Sequence, residues 1–108
     1  MKTKLEQVLA HCLKGREVAV WGQPTRLLTR ELQGFPWHLA KTVDPARHYV
    51  LAVTDDDLTD FERDEQHKGF RDVWDFICFS DLFCGCKSCC RCSDNNVFFH
   101  QSLPPISA

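Results

Sequence analysis

The sequence contains no hydrophobic run long enough to cross a membrane, since no stretch approaches the roughly 18 apolar residues of a membrane-spanning helix. Its basic start, MKTKLEQ, is not followed by an apolar segment, so we expect no secretory signal and a cytoplasmic location. A strong charge of either sign is also missing, because the net charge is −2 at pH 7. The sequence therefore indicates neither nucleic acid nor a membrane as a partner.

Glycine and proline are scarce, with five of each among 108 residues, which excludes a collagen-like or low-complexity chain. Hydrophobic residues make up 44% and charged residues 26%, as in soluble globular proteins. A chain of this length is sufficient for one domain of ordinary size.

Hydrophobic periodicity predicts helices that alternate with strands over the first 80 residues. The first helix begins at a capping box of Thr3 and Glu6 and ends near Gly15. Further helices are predicted near residues 26–33 and 56–67. Short apolar runs predict four strands, near residues 17–22, 37–42, 48–54 and 73–79.

This order predicts an α/β fold, a small three-layer Rossmann-like domain with a short parallel sheet of strand order 2-1-3-4. We expect the domain to cover residues 1–80 and a cysteine-rich loop and tail to cover residues 81–108, with a short edge strand near residues 96–100. The predicted core contains Leu9, Val18, Val20, Leu28, Leu32, Val50, Ala52, Val53, Phe76 and Ile77.

The turn after the first strand is the first candidate binding site. In a doubly wound sheet, ligands bind beyond the carboxyl ends of the strands, where a helix N-terminus offers N–H groups. Gly22, Thr25 and Arg26 are the candidate cofactor-binding residues there. The dinucleotide fingerprint needs three glycines, and only Gly22 is present, so a plain strand–helix turn is the favoured interpretation.

Three sequence segments are similar to those of a known group of proteins: VAVWGQPTRLL at residues 18–28, YVLAV at 49–53 and GFRDVWDFI at 69–77. Together they resemble the Rossmann-like modules of bacterial surface-polysaccharide and sugar-modifying proteins. The resemblance covers roughly residues 16–80. It implies an accessory or binding role, with no particular reaction.

A second candidate site is the acidic phrase DDDLT that follows the third strand. It matches the Asp-x-Asp-x-Thr motif of haloacid-dehalogenase-type phosphatases, in which Asp55 would be the nucleophile and Asp57 the general acid/base beside Mg²⁺. Leu58 stands where that motif usually has glycine. The favoured interpretation is a helix start, because aspartate is stabilised at the positive end of a helix.

The third candidate is a cluster of cysteines near the C-terminus, whereas Cys12 and Cys78 are isolated in the sequence. Zinc is tetrahedrally bound by thiolates, often in pairs separated by two residues. The predicted zinc ligands are Cys84, Cys86, Cys89 and Cys92, with Cys90 and His100 as further candidates. The spacing of Cys84, Cys89 and Cys92 also matches plant-type iron–sulfur proteins, but no cysteine follows to complete that set. A thiol-rich tail without an ion is the remaining alternative.

The other histidines, His11, His38, His48 and His67, are scattered, and each is expected to be an ordinary surface or core residue. The sequence therefore predicts a non-catalytic accessory or ligand-binding module with a small ligand or a protein as its partner. Zinc binding by the cysteine cluster is the alternative function, and a Mg²⁺-dependent phosphatase is the less favoured one.

Overall fold

Three helices and five strands make up the computed structural model of the chain, which describes residues 3–64, 67, 74–80 and 83–85. The helices are α1 (Lys4–Cys12), α2 (Arg26–Glu31) and α3 (Asp55–Arg63), and a 3₁₀ turn (Leu32–Gly34) follows α2. The strands are β1 (Glu17–Trp21), β2 (Trp37–Leu39), β3 (His48–Ala52), β4 (Phe76–Cys78) and β5 (Phe83–Gly85). Within these ranges, none of the helices has the length and apolar character needed to span a bilayer.

The strands form one sheet in the order β2-β1-β3-β4-β5. The first four are parallel, and their predicted order is confirmed. Strand β5 pairs with β4 in the antiparallel direction, so the sheet is mostly and not wholly parallel. Strand β5 was not predicted, because the three residues Phe-Cys-Gly at 83–85 show no alternation of apolar and polar side chains. The predicted strand near residues 96–100 lies outside the described residues.

Helices cover both faces of the sheet, as predicted. Alternate strand residues point to opposite faces, so Val18, Val20 and Leu51 pack against α1 and α2, whereas Val50 and Ala52 pack against α3. We refer to the two faces of the sheet as the α1–α2 face and the α3 face. All ten predicted core residues are buried, which confirms that part of the prediction.

A capping box starts each of two helices. Thr3 and Glu6 form the predicted capping box of α1, and Gly15 has a φ of +83° just beyond its end. Thr54 and Asp57 form a second capping box, which starts α3 at Asp55. Helix α3 ends at Arg63, four residues before the predicted end, and strands β2 and β4 have only three residues each.

Candidate functional site

The carboxyl edge of the sheet contains the point at which the chain reverses its winding direction. Strands β1 and β3 are neighbours in the middle of the sheet, while the chain leaves β1 toward β2 on one side and leaves β3 toward β4 on the other. A crevice at such a switch point is the usual ligand site of open α/β sheets. The residues that follow β1 and β3 therefore define the first place to look for a site.

Gly22, at the end of β1, lies directly against the side chain of Asp57. Its φ is +118°, and a Cβ atom built there would overlap the Asp57 carboxylate. The same carboxylate oxygen accepts hydrogen bonds from the Thr54 backbone N–H at 3.1 Å and from the Thr54 hydroxyl at 3.0 Å. A negative charge is thus held at the turn where the sequence suggested a bound cofactor.

The other two predicted cofactor-binding residues lie on the same turn. The Thr25 hydroxyl accepts a hydrogen bond from the Leu28 N–H at 3.1 Å and so caps the short helix α2. Arg26 is exposed in the first turn of that helix. The nearby Asp57 carboxylate opposes an anionic ligand at this turn by charge repulsion.

Asp55 and Asp57 both lie at the carboxyl edge, in the first turn of α3. Helix dipoles favour acidic residues at this position, and Asp57 completes the capping box. The Cys78 thiol at the end of β4 lies 3.6 Å from Asp55 Oδ1 and 3.4 Å from the Ser80 hydroxyl. The sequence prediction of an acidic helix start therefore accounts for the position of both aspartates.

An open cavity of about 360 Å³ lies beside β4 at the same edge of the sheet. The N-terminus of α1, the end of α2 and the turn after β4 enclose it. Its lining contains one positive charge, one negative charge, a serine hydroxyl, the capping hydroxyl of Thr3 and an aromatic ring, from Thr3, Lys4, Leu5, Glu31, Phe79 and Ser80. Such a mixture of polar groups and apolar surface can accept a small ligand that carries both.

The structure brings together two cysteines that are 72 positions apart in the chain. Cys84 lies on β5 opposite Ile77 and packs on the α1–α2 face. Its Sγ is 4.0 Å from the Sγ of Cys12 and 3.0 Å from the hydroxyl of Tyr49. Cys12 is isolated from the other cysteines in the sequence, but in the fold it lies next to Cys84. The other predicted zinc ligands, Cys86, Cys89 and Cys92, lie outside the described residues, as do Cys90 and His100.

A second polar cluster occupies the opposite, amino edge of the sheet. Glu17, His38 and His48 come from the three neighbouring strands β1, β2 and β3, and their potential ligand atoms all lie within 4.8 Å of one another. The two histidine rings are 5.0 Å apart between centroids. Sequence reasoning missed this cluster because the residues form no local motif. Only the pairing of the strands brings them together.

Two histidines have lowered pKa values. Burial lowers the pKa of His48, with the charges of His38 and Arg47 acting in the same direction and those of Glu17 and Asp44 opposing them. Burial also lowers the pKa of His67, against smaller opposing effects of Asp64 and of a backbone hydrogen bond. Both rings are therefore neutral at pH 7.

Comparison of the chain with models of known protein families and with curated proteins finds no match. The resemblance to polysaccharide and sugar-modifying modules therefore stays a prediction from three short phrases.

Proposed function

We propose that the chain is a small Rossmann-like module that binds a small polyhydroxylated ligand of the saccharide class without transforming it. The ligand would lie in the cavity beside β4, at the carboxyl edge of the sheet. The observation that carries this proposal is the composition of that cavity, in which Lys4 and Glu31 provide opposite charges and Phe79 provides an aromatic ring. Sugars combine hydroxyl groups with apolar ring faces, so they can use both kinds of contact.

The position of the cavity supports the proposal independently of its composition. Phe79 and Ser80 directly follow β4, and the carboxyl ends of parallel strands are where α/β sheets bind ligands. The turn at Gly22 is a less favourable ligand site, because the Asp57 carboxylate fills the space next to Gly22. The resemblance to sugar-modifying modules points to the same class of ligand.

The local roles of the acidic residues support a binding function over catalysis. Asp57 accepts two hydrogen bonds from Thr54 and so stabilises the start of α3. A phosphatase would instead need the Asp57 carboxylate as a general acid/base beside the Asp55 nucleophile. Mg²⁺-dependent phosphatase activity that disappears in an Asp55→Asn variant would contradict the non-catalytic role.

The proposal can be tested by titrating the ¹⁵N-labelled full chain with methyl glycosides of common hexoses. Amide signals of Lys4, Leu5, Phe79 and Ser80 should shift together. Glu31→Gln and Lys4→Ala should each weaken binding about tenfold, because each removes a charge-assisted hydrogen bond. Lys41→Ala is the matched control, since Lys41 is exposed in the loop after β2. Shifts absent from the cavity with every glycoside would rule the proposal out.

Zinc binding by cysteines is a second candidate function, which the distance between Cys12 and Cys84 favours. Two thiolates on a tetrahedral zinc ion, each about 2.3 Å from the metal, are about 3.8 Å apart. The observed separation of 4.0 Å is close to this value and about twice the length of a disulfide bond. Cys12 would then be a ligand that the spacing of the C-terminal cluster does not reveal, and two of Cys86, Cys89 and Cys92 would supply the remaining sulfurs.

Native mass spectrometry of the reduced full chain, before and after chelation, tests this second function. The wild type should carry one zinc ion more than Cys12→Ser, and one more than Cys84→Ser. Cys78→Ser is the matched control, because Cys78 is also buried but lies on the α3 face. A zinc content in Cys12→Ser equal to that of the wild type would remove Cys12 from the ligand set.

A further inference from the structure

The pairing of the strands places Glu17, His38 and His48 on one face of the sheet. Glu17 pairs directly with His48, and His38 pairs with Ala19, the next residue on β1 that points to the same face as Glu17. All three side chains therefore lie on the α3 face near the amino edge. Glu17, on the middle strand, stands between the two histidines.

We propose that Glu17, His38 and His48 bind a divalent transition-metal ion of the zinc class. This site is separate from the cavity beside β4, which lies at the other edge of the sheet. Two imidazoles and one carboxylate form a donor set that zinc accepts, and three protein ligands leave a tetrahedral ion one position for water. Imidazole ligands select such borderline ions over Mg²⁺ and Ca²⁺, which prefer oxygen alone.

The contact between Glu17 and His38 brings one potential ligand atom of each side chain close together. Glu17 Oε1 lies 2.5 Å from His38 Nδ1, yet this nitrogen has no hydrogen bond of acceptable angle to any residue that the structure describes. The Glu17 side chain is 47% exposed and the His38 side chain 35%, so the cluster lies at the surface, although His38 Nδ1 itself is buried and a metal ion reaches it only when a neighbouring side chain moves. On a tetrahedral ion the two atoms would separate to about 3.4 Å, which rotation of the exposed Glu17 side chain allows.

Before His48 can bind a metal ion, one hydrogen bond of its ring must be exchanged for another. Its Nδ1 accepts the backbone N–H of Asp44 at 2.9 Å, which places the ring proton of the neutral form on Nε2. Binding of a metal ion at Nε2 returns that proton to Nδ1, so the Asp44 amide must release the ring. This hydrogen bond is at the surface, where water can replace the lost partner. The Asp44 amide is therefore a specific reporter of the site.

The charges around the cluster suit a cation. Glu17 is the anionic ligand, and Asp44 adds a second carboxylate nearby, while Arg47 is the opposing positive charge.

The test is a titration of the reduced full chain with Zn²⁺ by calorimetry and with Co²⁺ by absorption and ¹⁵N NMR. Co²⁺ should broaden the amide signals of Glu17, His38 and His48 and shift that of Asp44. Glu17→Gln, His38→Ala and His48→Ala should each lower the affinity of this site for Zn²⁺ at least tenfold. His11→Ala is the matched control, because His11 lies on α1 at the other face of the sheet.

The cobalt spectrum separates this site from the cysteine site. Ions bound by thiolates give intense sulfur-to-metal charge-transfer bands, which the Glu17, His38 and His48 site should lack. In a Cys12→Ser, Cys84→Ser double variant, the broadening at His38 and His48 should persist. Glu17→Gln changes only an exposed side chain, so it decides the question even where a histidine variant unfolds. Unchanged Zn²⁺ affinity in Glu17→Gln and His38→Ala, or cobalt effects confined to other residues, would overturn the proposal.

Discussion

The carboxylate of Asp57 fills the space next to Gly22 that a side chain would otherwise occupy. Asp57 belongs to the first turn of α3, and Gly22 ends β1 with a φ of +118°. This contact joins the two elements that meet at the switch point of the sheet. It also connects the backbone geometry of the turn to the capping of α3, because the same carboxylate accepts both hydrogen bonds from Thr54.

Gly22→Ala should therefore destabilise the domain by about 2–4 kcal/mol. The strained φ contributes about 1–3 kcal/mol, and displacement of the Asp57 cap contributes about 1 kcal/mol more. Urea unfolding followed by circular dichroism measures the change. Gly34→Ala is the matched control, since a Cβ at Gly34 meets nothing within 4 Å, and its stability should stay equal or rise by up to about 1 kcal/mol. Equal stabilities of the two variants would contradict this account of the turn.

The end of α1 is tied to the sheet by a buried ion pair between Arg16 and Asp75. The two side chains are 13% and 4% exposed and meet at 2.9 Å. Arg16 also donates hydrogen bonds to the carbonyl oxygens of Cys12 and Leu13. Asp75 stands just before β4, and its carbonyl accepts the backbone N–H of Val50.

Asp75→Asn should lower the free energy of unfolding by about 3 kcal/mol, because it leaves the Arg16 charge buried without its counter-charge. The measurement is again the urea midpoint. Asp60→Asn, on the exposed side of α3, serves as the control and should change stability by no more than about 0.5 kcal/mol. A loss below 1 kcal/mol for Asp75→Asn would show that solvent screens the pair.

Local sequence patterns predicted the parallel strands of the sheet. The features that they did not predict depend on contacts between residues that are far apart in the chain. The apolar run at 48–52 and the capping box at Thr3 each specify one element through neighbouring residues. Strand β5 forms because β4 offers it an edge, and nothing in residues 83–85 alone predicts this. The contact between Cys12 and Cys84 arises in the same way, through packing of α1 on the sheet.

The candidate sites were predictable to different degrees. The carboxyl edge followed from strand order, so the region of Gly22 and Asp55 was identified from the sequence. The Glu17, His38 and His48 cluster was not identified, because it depends on the register of three strands. A shift of β2 by one residue would turn His38 to the other face, and no sequence pattern determines that register at single-residue accuracy.

Tyr49 links the centre of the sheet to β5 through its buried hydroxyl. The hydroxyl lies 3.2 Å from the carbonyl oxygen of Phe76 and 3.0 Å from the Cys84 sulfur. Tyr49→Phe keeps the ring but removes these contacts, and we expect a loss of about 1 kcal/mol in unfolding free energy. Amide hydrogen exchange should show faster exchange at Cys84 and Gly85. Unchanged exchange in β5 would mean that strand pairing alone holds it in place.

Acid should destabilise the domain through His67, whose ring is enclosed by aromatic side chains. The side chain is 2% exposed, stacks on Phe61 with ring centroids 4.0 Å apart, and meets the edges of Trp21 and Trp74. Burial lowers its pKa below the 6.5 of a free histidine, so the folded form holds the ring neutral while the unfolded chain takes up a proton. The stabilising contribution is complete above pH 6.5 and is lost as the pH falls below it, by up to about 1.4 kcal/mol per pH unit for one group.

His48 contributes in the same direction, since its pKa is also lowered. Urea unfolding at pH 7.5, 6.5 and 5.5 should therefore show falling stability in the wild type, a smaller slope in His67→Phe and the smallest slope when His48→Gln is added. A His67→Phe variant with the full wild-type slope would assign the acid sensitivity to other groups.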